Sequence, residues 1–153
     1  MVDILTPEQR SAQMSRIRGS DTKLELLVRR ALHAQGLRYR LGGASLPGRP
    51  DLVFPRHRAV LFVDGCFWHG HECHLFRLPK TRTEFWQTKI DANRTRDKRV
   101  DVELTRRGWR VLHLWECELR GKSHQEQTER LGRLAGEIAA ERRRPATPED
   151  RPV

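Results

Sequence analysis

The sequence predicts an α/β domain, a mixed β-sheet flanked by helices. Three observations carry this. Apolar groups at Leu24, Leu27, Val28, Ala31 and Leu32 recur at helical spacing. AVLFVD (59–64) is apolar enough to lie inside a sheet, and WRVLHLW (109–115) reads as a second buried strand. Between those two strands runs a long, charged, proline-free stretch, a crossover that can bring the last strand beside an earlier one. At 153 residues the chain is the size of one domain and can bury a core without disulfides. We take 1–143 as that domain, with 144–153 as a disordered tail.

The elements follow in order α, α, β, β, β, α, β, α. Residues 7–18, PEQRSAQMSRIR, form a short polar helix with little to bury, within an N-terminal arm over 1–19. SDTKLELLVRRALHAQG opens on capping residues and stops at Gly36, which defines an amphipathic helix. LRYRL (37–41), DLVF (51–54) and AVLFVD follow as strands, punctuated by Pro47, Gly48, Pro50 and Pro55. TEFWQTKIDANRTRDKRVDVELTRRG (83–108) reads as one long exposed helix ending on glycine. Residues 124–143 repeat Leu131, Leu134, Ala135 and Ile138 at helical spacing, and PATPEDRPV after them is too polar and proline-rich to fold.

Charge narrows the partners. Thirty Lys and Arg stand against 20 Asp and Glu, a net charge of +10, so the surface field favours a polyanion and nucleic acid first. The excess is uneven: residues 75–122 hold 13 basic and 7 acidic residues, whereas 124–153 hold six of each. The tail does not supply it. No apolar run approaches a membrane span and MVDILTPEQR lacks a signal-peptide layout, so a cytoplasmic, nucleoid-associated protein is expected. Three cysteines in a reducing compartment are thiols or metal ligands rather than disulfides.

DGCFWHGHECH (64–74) concentrates two of those cysteines, three of seven histidines and two large aromatics. Cys66, His71 and Cys73 supply three soft or borderline ligands, and Cys117, just after the last strand, can supply a fourth. Cys3His is an ordinary tetrahedral zinc set, although His69 or His74 would serve in place of His71; Cys117 as a buried thiol is the lesser reading, because one zinc site uses all three cysteines. Such a site would tie the loop after 59–64 to the end of 109–115. Phe67 and Trp68 lie in a glycine-flanked loop with no core of its own, where they could wedge between base pairs. Trp86, Lys89 and Asn93 fall on one helical stripe that joins an aromatic, a cation and an amide suited to reading bases, while Trp86 with Ile90 fits packing on the sheet equally well.

A zinc that is only structural leaves catalysis to another centre. In GRPDLVF, Asp51 begins a buried strand, where a carboxylate is costly unless paired or holding a metal. The neighbouring strand ends at Val63 and Asp64, in reach to offer a backbone carbonyl and a second carboxylate. Mg2+ held by such groups suits phosphodiester hydrolysis. His69, free once His71 has gone to zinc, can act as general base or acid beside that metal. Glu25 by itself reads as part of a Thr22-x-x-Glu25 capping box.

RPDLVF, LFVDGCFWHGHEC, TRTEFW and GWRVLHLWECELRG, in this order and spacing, resemble the very-short-patch repair (Vsr) DNA mismatch endonucleases from about Met14 to Lys122. The resemblance implies a restriction-endonuclease-like fold, a structural Zn2+ and Mg2+-dependent nicking of one strand next to T:G mismatches that arise from 5-methylcytosine deamination. A cytosine methyltransferase would be the genetic companion, and mismatch-repair proteins are candidate partners. By position, Asp51 and the carbonyl of Val63 would hold Mg2+, Glu25 would orient metal-bound water, His69 would stand near the attacking group as general base or acid, and Asp64 would meet the metal directly or through water. Cys66, His71, Cys73 and Cys117 would match the zinc ligands. Phe67, Trp68 and Trp86 would match an aromatic wedge in the major groove, with Met14 approaching from the minor groove and Lys89 and Asn93 facing the mismatched bases. The acid-x-Lys pair of the wider nuclease superfamily is missing after Val63-Asp64, which leaves more to His69. The competing reading is a zinc-stabilised protein that binds distorted DNA without cutting it. A nuclease cutting both strands would need a dimer, and the sequence offers no dimer stripe, so a monomer is expected.

Overall fold

The structure, a computed structural model, describes residue 6, residues 22–41 and residues 45–140. The helix expected over 7–18, with Met14 on it, and the tail over 144–153 lie outside them. Helix α1 spans Lys23–Ala34. The hydroxyl of Thr22 caps it by accepting from the Glu25 N–H at 3.2 Å. Val28 and Leu32, one turn apart on its inner face, are fully buried.

Strand β1 is only Arg40–Leu41, shorter than the expected 37–41. The reason lies in α1's exit: the Leu37 N–H still bonds the Leu32 carbonyl and its side chain is buried in the core. Strand pairing therefore begins three residues later. Strands β2 (Leu52–Phe54) and β3 (Ala59–Asp64) are joined by a 3-10 turn over Pro55–His57. Helix α2 (Thr83–Arg106) then crosses to β4 (Arg110–Trp115), and after a 3-10 turn over Glu116–Glu118 the described chain ends with α3 (His124–Ala139). Ser123 and Glu126 form a reciprocal capping box at the start of α3.

The four strands lie in the order β1-β2-β3-β4. The first two pairings are antiparallel and β3 with β4 is parallel, so the sheet is mixed. Alternation along β3 builds two cores. Ala59 and Leu61 face Val28, Leu32, Leu114, Leu131, Leu134 and Ile138, which places α1 and α3 on that side. Val60 faces Val53 and Leu104, with Phe62, Val100 and Val111 packed around them, which places α2 on the other. Only Ile90 and Leu104 of α2's 24 residues are buried, so most of that helix lies open to solvent as its charge pattern predicts. The register Asp64↔Trp115 brings the carboxyl ends of β3 and β4 level, and the site lies there. No helix among the described residues is long and apolar enough to cross a membrane.

Candidate active site and metal centre

Asp51 sits one residue before β2, after buried Pro50, and its Oδ2 accepts a hydrogen bond from the Val63 N–H at 2.7 Å. Asp64 ends β3 only 5% exposed, and Glu25 on α1 is 6% exposed. Burial pushes the Asp51 carboxyl up to about 6; the Val63 N–H draws it down, and the negative charges of Glu25 and Asp64 push it up again. Glu25 has Arg29 at 3.3 Å. Arg29 also draws the Asp51 carboxyl down, yet burial outweighs it, and a divalent cation would stabilise the ionised carboxylate.

His69 is carried by a tight turn in which its N–H bonds the Gly65 carbonyl at 3.3 Å. The turn lies so close on α2 that a Cβ at Gly70 would stand 2.6 Å from Ile90 Cγ2, and Gly70 has a φ of +59° that disfavours any side chain. The Arg94 guanidinium bonds the Gly70 carbonyl and holds the turn there. His69 Nδ1 is 2.5 Å from Asp97 Oδ2, whereas Nε2 is 3.7 Å from Asp64 Oδ1, beyond hydrogen-bond reach. The other oxygen of Asp64 is 2.6 Å from His113 Nδ1, and His113 Nε2 is 3.0 Å from both oxygens of Asp101. Burial works against charge on His113, but the Asp64 and Asp101 carboxylates outweigh it and raise the imidazole to about 9.

Asp51, Val63, Asp64, Glu25 and His69 are thus gathered around the ends of β2 and β3, while Asp97, Asp101 and His113 were missed in the sequence. A signal for two of them was present. The stripe Trp86, Lys89, Asn93 continues in steps of four to Asp97 and Asp101, so one face of α2 runs from aromatic to carboxylate.

A second cluster could hold a metal ion. One ligand atom from each of Cys66, His71, Cys73 and Cys117 lies within 4.8 Å of the others. His71 Nδ1 is 3.6 Å from Cys66 Sγ and 3.5 Å from Cys117 Sγ. His71 also stacks on Trp115 with ring centroids 4.0 Å apart, which fixes the imidazole plane. Burial pushes the Cys66 thiol up to about 12, so its thiolate needs a cation beside it. Among the described residues, His69 and His74 fall outside this group.

Phe67 and Trp68 belong to neither buried core. They pack on one another with centroids 5.2 Å apart, and Phe67 meets Trp86 at 5.4 Å and Phe76 at 6.2 Å. Trp86 accordingly leans on these loop rings, while Ile90 takes the buried place beneath the helix. Lys89 Nζ stands 5.6 Å from the Trp68 ring. Asn93 donates to the Trp68 carbonyl at 2.9 Å, so in the free protein it braces the loop. An open groove lined by Leu24, Glu25, Val63, Trp68, Leu119 and Arg120 joins Glu25 to the Trp68 ring.

Known proteins share this arrangement of sequence. A profile of the family described as DNA mismatch endonuclease Vsr matches residues 2–75. The chain is 51% identical over 119 residues to the type II nicking enzyme V.XorIIP of Xanthomonas oryzae, covering 78% of this chain and 88% of that one. It is 48% identical over 134 residues to the DNA mismatch endonuclease Vsr of Escherichia coli, 86% of each. With the type II nicking enzyme V.NmeAIP of Neisseria meningitidis it shares 44% over 138 residues, 90% of this chain and 97% of that one. Similarity of that extent, joined to the acidic strand ends, makes the chain an endonuclease. It belongs to the Vsr family of DNA mismatch endonucleases.

Proposed function

We propose that this endonuclease uses Mg2+ to nick one strand of duplex DNA beside a T:G mismatch left by 5-methylcytosine deamination, on a restriction-endonuclease-like fold. The observation that carries the reading is the meeting of Asp51, Glu25 and Asp64 at the ends of β2 and β3, with His69 turned towards them. Asp51 and the carbonyl of Val63 would hold the cation. In an extended strand the N–H and C=O of one residue face the same edge, and the Val63 N–H already faces Asp51. A divalent cation there supplies electrostatic stabilisation for charge developing on the scissile phosphate.

His69 does the proton chemistry. Asp97 occupies Nδ1, so Nε2 is the nitrogen left for the attacking water. As the water oxygen bonds to phosphorus and the P–O bond to the leaving strand breaks, Nε2 takes the water's proton, while Glu25 orients the water. Zinc suits the second set: a tetrahedral ion with ordinary Zn–S and Zn–N bonds would place sulfur and nitrogen about 3.6 Å apart, and the spacings to His71 Nδ1 are 3.6 and 3.5 Å. Phe67, Trp68 and Trp86 serve as the wedge, Met14 approaches from the minor groove, and Lys89 and Asn93 face the mismatched bases once Asn93 leaves Trp68. One site cutting one strand needs one protomer.

A strand-resolved assay on duplexes carrying T:G or C:G at one position, in varied contexts and with or without Mg2+, tests this. A single nick confined to T:G with Mg2+ is expected. Mismatch binding with no cut under any metal would make the protein a binder of distorted DNA instead.

A further inference from the structure

We propose that His113, braced by Asp101, is a positioning residue that holds Asp64 away from His69 and so keeps His69 Nε2 free for the reaction. This rests on the active-site reading above. Asp64 is buried at the end of β3 between two imidazoles, one on each oxygen. A buried carboxylate takes the nearest cationic donor available to it. Were that donor His69, the Nε2 would be tied up in an ion pair and withdrawn from the attacking water.

The geometry prevents this. His113 Nδ1 engages Asp64 Oδ2 at 2.6 Å, and Oδ1 stops 3.7 Å short of His69 Nε2. Both partners of His113 are carboxylates, which only accept when ionised, so the ring donates from both nitrogens. Doubly donating imidazole is a cation with a fixed orientation. Its plane is held further by stacking on Phe62, with centroids 5.2 Å apart and an interplanar angle of 16°. Asp101 follows Asp97 by one helical turn on α2, so a single helix face clamps both imidazoles. Asp97 orients the reacting ring, and Asp101 orients the ring that restrains its neighbour.

His113→Leu keeps the packing against Phe62 and removes the polar contacts, whereas His113→Asn keeps an N–H donor near the place of Nδ1. With a T:G duplex and saturating Mg2+, the leucine variant should lose about 10- to 100-fold in kcat, the usual cost of removing an outer partner of a site. KM for the duplex and zinc content should stay as in the wild type, and the asparagine variant, which keeps the donor to Asp64 but not the brace from Asp101, should recover part of the lost rate. Wild-type kcat in the leucine variant, a loss confined to KM, or asparagine no better than leucine would each overturn the assignment. Should the leucine variant fail to fold, Asp101→Asn decides: a reduced kcat with unchanged KM supports the brace, and wild-type kcat removes it. Asp51→Ala measured alongside separates the two levels of argument. Its full activity would overturn the active-site reading and this inference with it, whereas an inactive Asp51 variant beside a fully active His113→Leu would overturn this inference alone.

Discussion

The backbone N–H of Val63 reaches across from β3 to hold Oδ2 of Asp51 at 2.7 Å. That bond fixes the carboxylate against the strand end and draws its pKa down, but burial outweighs it and leaves the carboxyl raised from 3.8 to about 6. A raised folded-state value means that the ionised carboxylate destabilises the metal-free protein above about pH 6, a cost that fades as pH falls towards 3.8. Asp51→Ala should therefore abolish nicking yet raise the Tm of metal-free protein at pH 8, with mismatch binding and zinc content retained. A calorimetric scan showing a lowered Tm, or an assay showing the wild-type rate, would contradict the role given to Asp51.

The same value sets a competition between protons and Mg2+. Below about pH 6 the proton occupies the carboxylate that the cation needs, so half-maximal nicking should require about tenfold more Mg2+ for each pH unit. Titrating Mg2+ at pH 7, 6 and 5 would reveal this, and a metal requirement independent of pH would refute it.

His69→Ala should lower the nicking rate by about 10²- to 10⁴-fold, the range of a lost general acid or base. Zinc content should not change, because His69 Nδ1 is engaged by Asp97 and lies outside the Cys3His set. Zinc lost from this variant would move His69 into the ligand set and release His71.

Cys117→Ser should lose the bound zinc and lower the Tm. The Cys117 N–H already bonds Cys66 Sγ at 3.4 Å, so the end of β4 and the loop after β3 meet at this point, and an ion held there would strengthen that junction. Metal analysis of the purified variant checks it; a full complement of zinc would show that three ligands suffice.

Changing Phe67 and Trp68 together to alanine should collapse discrimination for T:G while leaving a folded, zinc-loaded protein that binds duplex weakly with a steep salt dependence. Unstacking a base step costs a few kcal/mol and less at an imperfect pair, so inserted rings favour a mismatch. Phosphate contacts along α2 cannot supply that preference. A Tm lowered as far as by a core deletion, with discrimination kept, would mean that these rings support the fold and the mismatch is read elsewhere.

What the sequence made legible follows from period and chemistry. Strands β3 and β4 are unbroken apolar runs, α1 has a cap and a stripe, and each was readable to within a residue or two. Strand β1 was not, because Leu37 and Tyr39 look like strand residues but are drawn into the core beside Leu32 and Phe54. The burial of Asp51 and the meeting of Cys66, His71, Cys73 and Cys117 were legible because carboxylates at buried strand starts and clustered thiols have few other uses. Asp97, Asp101 and His113 were hidden for the opposite reason. Charges are plentiful on an exposed helix, and a histidine inside an apolar strand looks like a surface-facing position until the helix that covers it is in place.

Only Gly65 separates Asp64, the last residue of β3, from Cys66, the first residue of the thiol and imidazole set. Side chains along an extended chain alternate in direction, so adding or removing one residue here would turn a carboxylate and a sulfur to the wrong sides at once. Chain length between β3 and the turn is accordingly constrained as tightly as the residues themselves. An insertion or deletion at that spot would disturb the carboxylate cluster and the thiol and imidazole set in a single event.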